Sequence, residues 1–146
     1  MKKMMMVVLL IAIMGIVGCA GSLTNYLPKD KGDNYSQVII MRSHNPIGSA
    51  MKIDIILDRK IIAHMGLGEY FSFPLAPGDH SLMVHADIFS TPTVDYEFTP
   101  KTKYYFMVGP NWAAMINIEK IEETMALQKL KTHTEIKELE KLLQEN

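Results

Sequence analysis

Apolar and polar positions alternate in short runs through the middle of the chain. "MKIDIILD" (51–58) places Met51, Ile53, Ile55 and Leu57 on one face and Lys52, Asp54 and Asp58 on the other. "TVDYEF" (93–98) sets Val94, Tyr96 and Phe98 against Asp95 and Glu97. Strand side chains alternate between faces, so a period of two predicts strands with one face on a core. Six further runs read the same way: 35–42, 60–65, 69–75, 80–88, 101–109 and 114–121. The run 35–42 is apolar enough to be buried on both faces. Turns fall between the runs, at Asp58-Arg59 and at Ala76-Pro77-Gly78-Asp79. In the second, proline presets φ and glycine accepts a positive φ, which suits a type II turn. Eight short strands with no helix of crossover length between them predict an all-β, mainly antiparallel sandwich of two sheets. Ile40, Ile53, Ile55, Phe71, Phe73, Leu82, Val84, Tyr96 and Phe106 are the expected core.

The pattern changes after Ile121. "EETMALQKL" and "THTEIKELEKLLQEN" are helical in composition, and Thr132 with Glu135 fits a capping box. Ile136, Leu139 and Leu143 would then share one face of a C-terminal amphipathic helix. Three apolar anchors are too few for a coiled coil. A helix packed on the sandwich, or a frayed tail, is the ordinary reading; a partner-binding helix is the functional one.

The other end of the chain is different again. Lys2 and Lys3 precede an apolar run over residues 4–17, broken only by Gly15, and small residues follow: Gly18, Cys19, Ala20, Gly21 and Ser22. Charge, apolar core and small residues make up a secretory signal. Fourteen residues of helix span roughly 21 Å, short of the roughly 30 Å hydrocarbon core. Counting on to Leu23 would just reach, so a retained membrane helix stays as the alternative.

Cys19 is the only cysteine. "Ile16-Val17-Gly18-Cys19" resembles the lipobox of bacterial lipoproteins. The resemblance implies that the Cys19 sulfur takes a diacylglyceryl group, that the bond after Gly18 is cut, and that the new amino group takes a fatty acyl chain such as palmitate. One acyl chain binds a membrane only marginally, but two or three on one residue make a lasting anchor. Ala20 stands where aspartate often marks inner-membrane retention. The resemblance thus implies the outer membrane, with the body facing the periplasm and the inner membrane as alternative. The expected organisation is a signal peptide (1–18), an acylated N-terminus and polar tether (19–35), a β-sandwich (36–121) and a helical tail (122–146).

Composition narrows the chemistry. Without residues 1–18 the chain has 128 residues, with 13 Lys and Arg against 16 Asp and Glu, a net −3. With no clustered basic face, nucleic acid is not an expected partner. Five of the twelve methionines leave with the signal, so a methionine-based copper site loses support, and gap-filling in a core is the ordinary role of the rest. His44, His64, His80, His85 and His133 lack metal-site spacing, so no metal and no cofactor are expected. Ser49 is not in a nucleophile elbow, and no glycine-rich loop opens a helix. Trp112 reads as core more readily than as a sugar-stacking platform. No catalytic residue is assigned.

Residues 38–108 resemble a domain of unknown function found in many small proteobacterial lipoproteins. The shared pattern is a strand ending in Arg42, a small-residue stretch Gly48-Ser49-Ala50, a strand pair around Ile56-Leu57-Asp58-Arg59-Lys60, an aromatic step Gly68-Glu69-Tyr70-Phe71, the Pro77-Gly78 turn and the strand Lys103-Tyr104-Tyr105-Phe106. The resemblance implies an immunoglobulin-like or prealbumin-like sandwich and carries no ligand residues; the loop "SHNPIG" and the charged tail depart from it. Two function classes follow. The first is a non-enzymatic binding or structural module of the cell envelope, contacting envelope proteins or glycans. The alternative is an enzyme or enzyme subunit with a dispersed polar site near the first strand ends, for which Arg42, His44, Asp58 and His64 are the candidates.

Overall fold

All eight alternating runs form strands, and three two-residue strands join them at the margins. The computed structural model of the chain describes residues 20–29, 31–45, 51–86, 89–111 and 115–137. In order these contain β1 (Ser22–Leu23), β2 (Ser36–Arg42), β3 (Ile53–Leu57), β4 (Lys60–Met65), β5 (Glu69–Leu75), β6 (Gly78–Ala86), β7 (Phe89–Ser90), β8 (Val94–Phe98), β9 (Lys103–Pro110), β10 (Ile116–Ile121), α1 (Glu123–Leu130) and β11 (Thr134–Glu135). The first sheet runs β1-β4-β3-β6, with β7 and β8 sharing the far edge of β6; the second runs β10-β9-β2-β5-β11. Pairing is antiparallel except for β2 with β9 and β5 with β11.

The inner faces of the two sheets meet in one core. Ile53, Ile55, Leu82 and Val84 come from the first sheet and Ile40, Phe71, Phe73 and Phe106 from the second, all buried, with Tyr96 packed against them from β8. Tyr96 meets Phe106 edge-on at 4.9 Å, and Phe98 meets Tyr104 at 4.7 Å. Such pairs add to the area they bury, because the positive ring edge faces the negative ring face.

The second sheet is buried on its other face as well. Ile39 and Met41 of β2 with Tyr105 and Met107 of β9 form a second cluster, closed by Ala126 of α1. This accounts for the continuous apolar run in β2, which an alternating strand would not need. Tyr105 donates a 2.9 Å hydrogen bond to Glu123 at the start of α1. Burial first, and then the Glu123 carboxylate, push its phenol above the ordinary range.

Asp58 and Arg59 both have positive φ, 48° and 65°, so β3 and β4 join through a mirror-image two-residue turn. Gly78 has a φ of 124°, and there a side chain would be strained.

Both flanks of the sandwich depart from the sequence reading. Residues 20–35 were expected to be a tether, yet Ser22 and Leu23 pair with His64 and Ala63, and Leu27 is buried in the core. Among the described residues the tail is helical over Glu123–Leu130. Thr132 donates its hydroxyl back to the Lys129 carbonyl at the end of α1 (3.0 Å), so it closes one helix and does not cap another. Thr134 and Glu135 are strand, and Ile136 enters the core. The remaining turns of the expected helix, with Leu139 and Leu143, lie outside the described residues, as do the signal segment, Gly18, Cys19 and Trp112.

Candidate functional site

The candidate residues of the dispersed site fall at two places in the described chain. One is the end of the sandwich where β2 and β4 finish and β5 begins. Arg42, the last residue of β2, is only 2 % exposed. Its Nη1 donates to the carbonyls of Met51 and Met65, each at 2.7 Å, and so bridges the second sheet to the first. Burial lowers its affinity for the proton, while the negative charge of Glu69 acts to raise it.

Glu69 opens β5 and clamps the N-terminal segment. One carboxylate oxygen accepts the Gly21 N–H at 2.8 Å and the other accepts the Gly66 N–H at 2.5 Å. A Cβ on Gly21 would fall 2.6 Å from the His64 carbonyl oxygen and 2.7 Å from Ile136 Cδ1, besides meeting the Glu69 carboxylate. Glycine is thus the residue that lets β1, β5 and the segment after β11 approach so closely.

Two histidines complete this end. His133 faces two carbonyls, of Lys129 through Nδ1 (2.7 Å) and of Arg42 through Nε2 (3.0 Å). His44 packs edge-on against it at 4.6 Å and lies over Gly68, whose φ is 65°. His64 is on the outer face of β4, bonded through Nδ1 to Asp54 Oδ1 at 2.6 Å.

The second place is the far end of the β3–β4 hairpin. Asp58 Oδ2 meets His80 Nδ1 at 2.6 Å, and Oδ1 accepts the Ser81 N–H at 2.9 Å. Burial raises the Asp58 carboxyl. The His80 hydrogen bond, the Ser81 N–H and the His80 charge together outweigh that and hold it below the ordinary range. A carboxyl with a lowered folded-state pKa stabilises above its unfolded value of about 3.9, and this contribution is lost as pH falls through the folded value. Asp58→Asn is therefore expected to flatten the acid side of the stability curve, read as urea midpoints from pH 7 down to pH 3.

The four residues of the dispersed-site reading are thus not brought together. Arg42, His44 and His64 belong to one end. Asp58 lies beyond Leu57, about 13 Å of strand from the Ile53–Met65 pair near Arg42. Their contacts are architectural: a cross-sheet bridge, a ring pair and two cross-strand Asp–His bonds. Among the described residues, no three of His, Cys, Asp and Glu are grouped so as to hold a metal ion. No helix among them is long and apolar enough to cross a membrane.

The feature that sequence reasoning missed is the Gly21–Glu69 clamp. Its only signal was a pair of isolated apolar residues, Leu23 and Leu27, in a stretch otherwise polar and turn-rich. In comparisons with known proteins, the chain matches no protein-family model and no curated protein.

Proposed function

We propose that the chain is a bacterial lipoprotein whose β-sandwich serves as a non-enzymatic binding or structural module of the cell envelope. Cys19 carries the S-diacylglyceryl and N-acyl groups after cleavage behind Gly18, and the domain faces the periplasm from the outer membrane. Envelope proteins or glycans are its partners. One observation carries this reading: three residues behind the proposed cut the chain is already held in the fold, with Gly21 clamped by Glu69 and Ser22 paired with His64. Cleavage behind Gly18 keeps Gly21 and β1 with the body.

The finer fold reading, an immunoglobulin-like or prealbumin-like sandwich, draws support from the way the chain passes between layers. It crosses between the sheets after β1, β2, β4, β5 and β8, as a two-layer key topology requires.

The test is Cys19→Ser. A hydroxyl is too weakly acidic to replace the thiol as nucleophile, and the lipoprotein peptidase acts on the modified residue. The wild-type chain is expected to begin at an acylated Cys19 and to incorporate labelled fatty acid; the variant is expected to retain residues 1–18 and no label. Membrane association alone does not discriminate, since the uncut apolar run also holds the chain. An unmodified wild-type N-terminus near Met1 would replace this reading with a retained helix.

A further inference from the structure

We infer that the β1–β4 edge of the first sheet rests on the bilayer surface, with Tyr26 and Ile61 at headgroup level and Arg59 and Lys60 toward anionic headgroups. This rests on the anchoring reading above and adds an orientation to it. The chain between Cys19 and the fold is short. Gly21 is held by Glu69, and Ser22 is already paired with His64. From Cys19 to Gly21 the backbone reaches about 7 Å at full extension, so an acylated Cys19 leaves almost no slack. A retained helix ending at the same place would leave no more.

The surface at that edge has the chemistry of a membrane boundary. From β1 the chain runs beside β4, with the Thr24 N–H donating to the Ile62 carbonyl, and then turns Tyr26 outward. Tyr26 is 62 % exposed and Ile61 37 % exposed. The Lys60 ammonium sits 5.4 Å from the centre of the Tyr26 ring. Tyrosine and lysine have apolar bodies and polar tips, the chemistry that settles at a membrane–water boundary.

Charge distinguishes the two edges of the sheet. The opposite edge of the same sheet is β8, where Asp95 and Glu97 are exposed and Glu97 lies directly opposite Asp79 of β6. Four strand spacings, about 19 Å, separate the two edges. Anionic headgroups attract the edge bearing Arg59 and Lys60 and repel the acidic one.

The test uses the acylated full chain in protein-free vesicles of phosphatidylethanolamine and phosphatidylglycerol. Spin labels are placed singly through Tyr26→Cys, Ile61→Cys or Glu97→Cys, and the mass of the mature N-terminus reports the anchor independently. Labels at 26 and 61 are expected to lose several-fold in collision rate with a water-soluble nickel chelate on vesicle binding, while the label at 97 stays unchanged. Adding Lys60→Glu should return part of the lost accessibility to the label at 61. With Cys19 acylated, equal accessibility at 61 and 97 would overturn the orientation and leave the anchor standing. Protection seen in whole envelopes but not in vesicles would assign the edge to a protein partner and overturn it too. An unacylated chain that leaves the vesicles would remove both readings.

Discussion

Replacing Arg42 by alanine is expected to cost the domain about 3–5 kcal/mol, the range for removing one partner from a buried charged network. The Arg42 side chain is the largest fully buried one of the described fold, and it bridges the carbonyls of Met51, just ahead of β3, and Met65, at the end of β4. Its loss leaves a cavity, two carbonyls without their donor, and Glu69 without the nearby positive charge. Arg42→Met separates these terms. It restores most of the volume but no donor, so about 1–3 kcal/mol of the loss should remain. Chemical unfolding of both variants gives the comparison. A loss below about 1 kcal/mol for alanine would mean that burying the charge costs as much as its hydrogen bonds return.

Truncation after Lys131 is expected to destabilise the domain by about 4 kcal/mol, against the view of the tail as an appendage. The segment it removes places Ile136 in the core. It also removes backbone bonds from Thr134 and Ile136 to the carbonyls of Gly68 and Tyr70, and the His133 bond to Arg42. Ile136→Ala alone should account for about 2–4 kcal/mol of this. In thermal unfolding the truncated chain is expected to melt about 10–20 °C lower. An unchanged midpoint would show that β11 and Ile136 add nothing to the sandwich.

These two expectations mark where the sequence was legible. β3 and β8 each turn one face to the core, and that one-sided burial imposes the period of two that reads out directly in "MKIDIILD" and "TVDYEF". The marginal strands β1, β7 and β11 have two residues each, too few to express any period. Ser22–Leu23 reads as spacer because its partner β4 lies some forty residues away in sequence. Thr132 and Glu135 have the spacing of a capping box, but the Thr132 hydroxyl is taken by Lys129 and the backbone beyond it by β5. Tertiary pairing overrides the local signal there.

The candidate site was legible in its residue types and not in its grouping. Arg42 ends an apolar strand, and its position pointed to a special role. Whether a buried guanidinium serves chemistry or architecture depends on which carbonyls face it, and Met51 and Met65 are set by the packing of a different sheet. Asp58 and His64 belong to one hairpin, at its turn and near the end of its second strand, and looked close in sequence. The hairpin's own length keeps them apart, and each takes a cross-strand partner, His80 for Asp58 and Asp54 for His64.

The place of β2 also sets when the domain is able to fold. Its two neighbours are β5 and β9, and the parallel pairing of β2 with β9 joins residues 37–42 to residues 103–108. Pairings so distant in sequence form slowly, because a long loop must close before any contact rewards it. As the chain emerges from its amino end, the second sheet stays open until nearly the whole domain is available. If the chain is delivered to the periplasm from its amino end, as the lipoprotein reading requires, the first sheet has all its strands by residue 98, whereas β2 must wait for β9 before the second sheet closes.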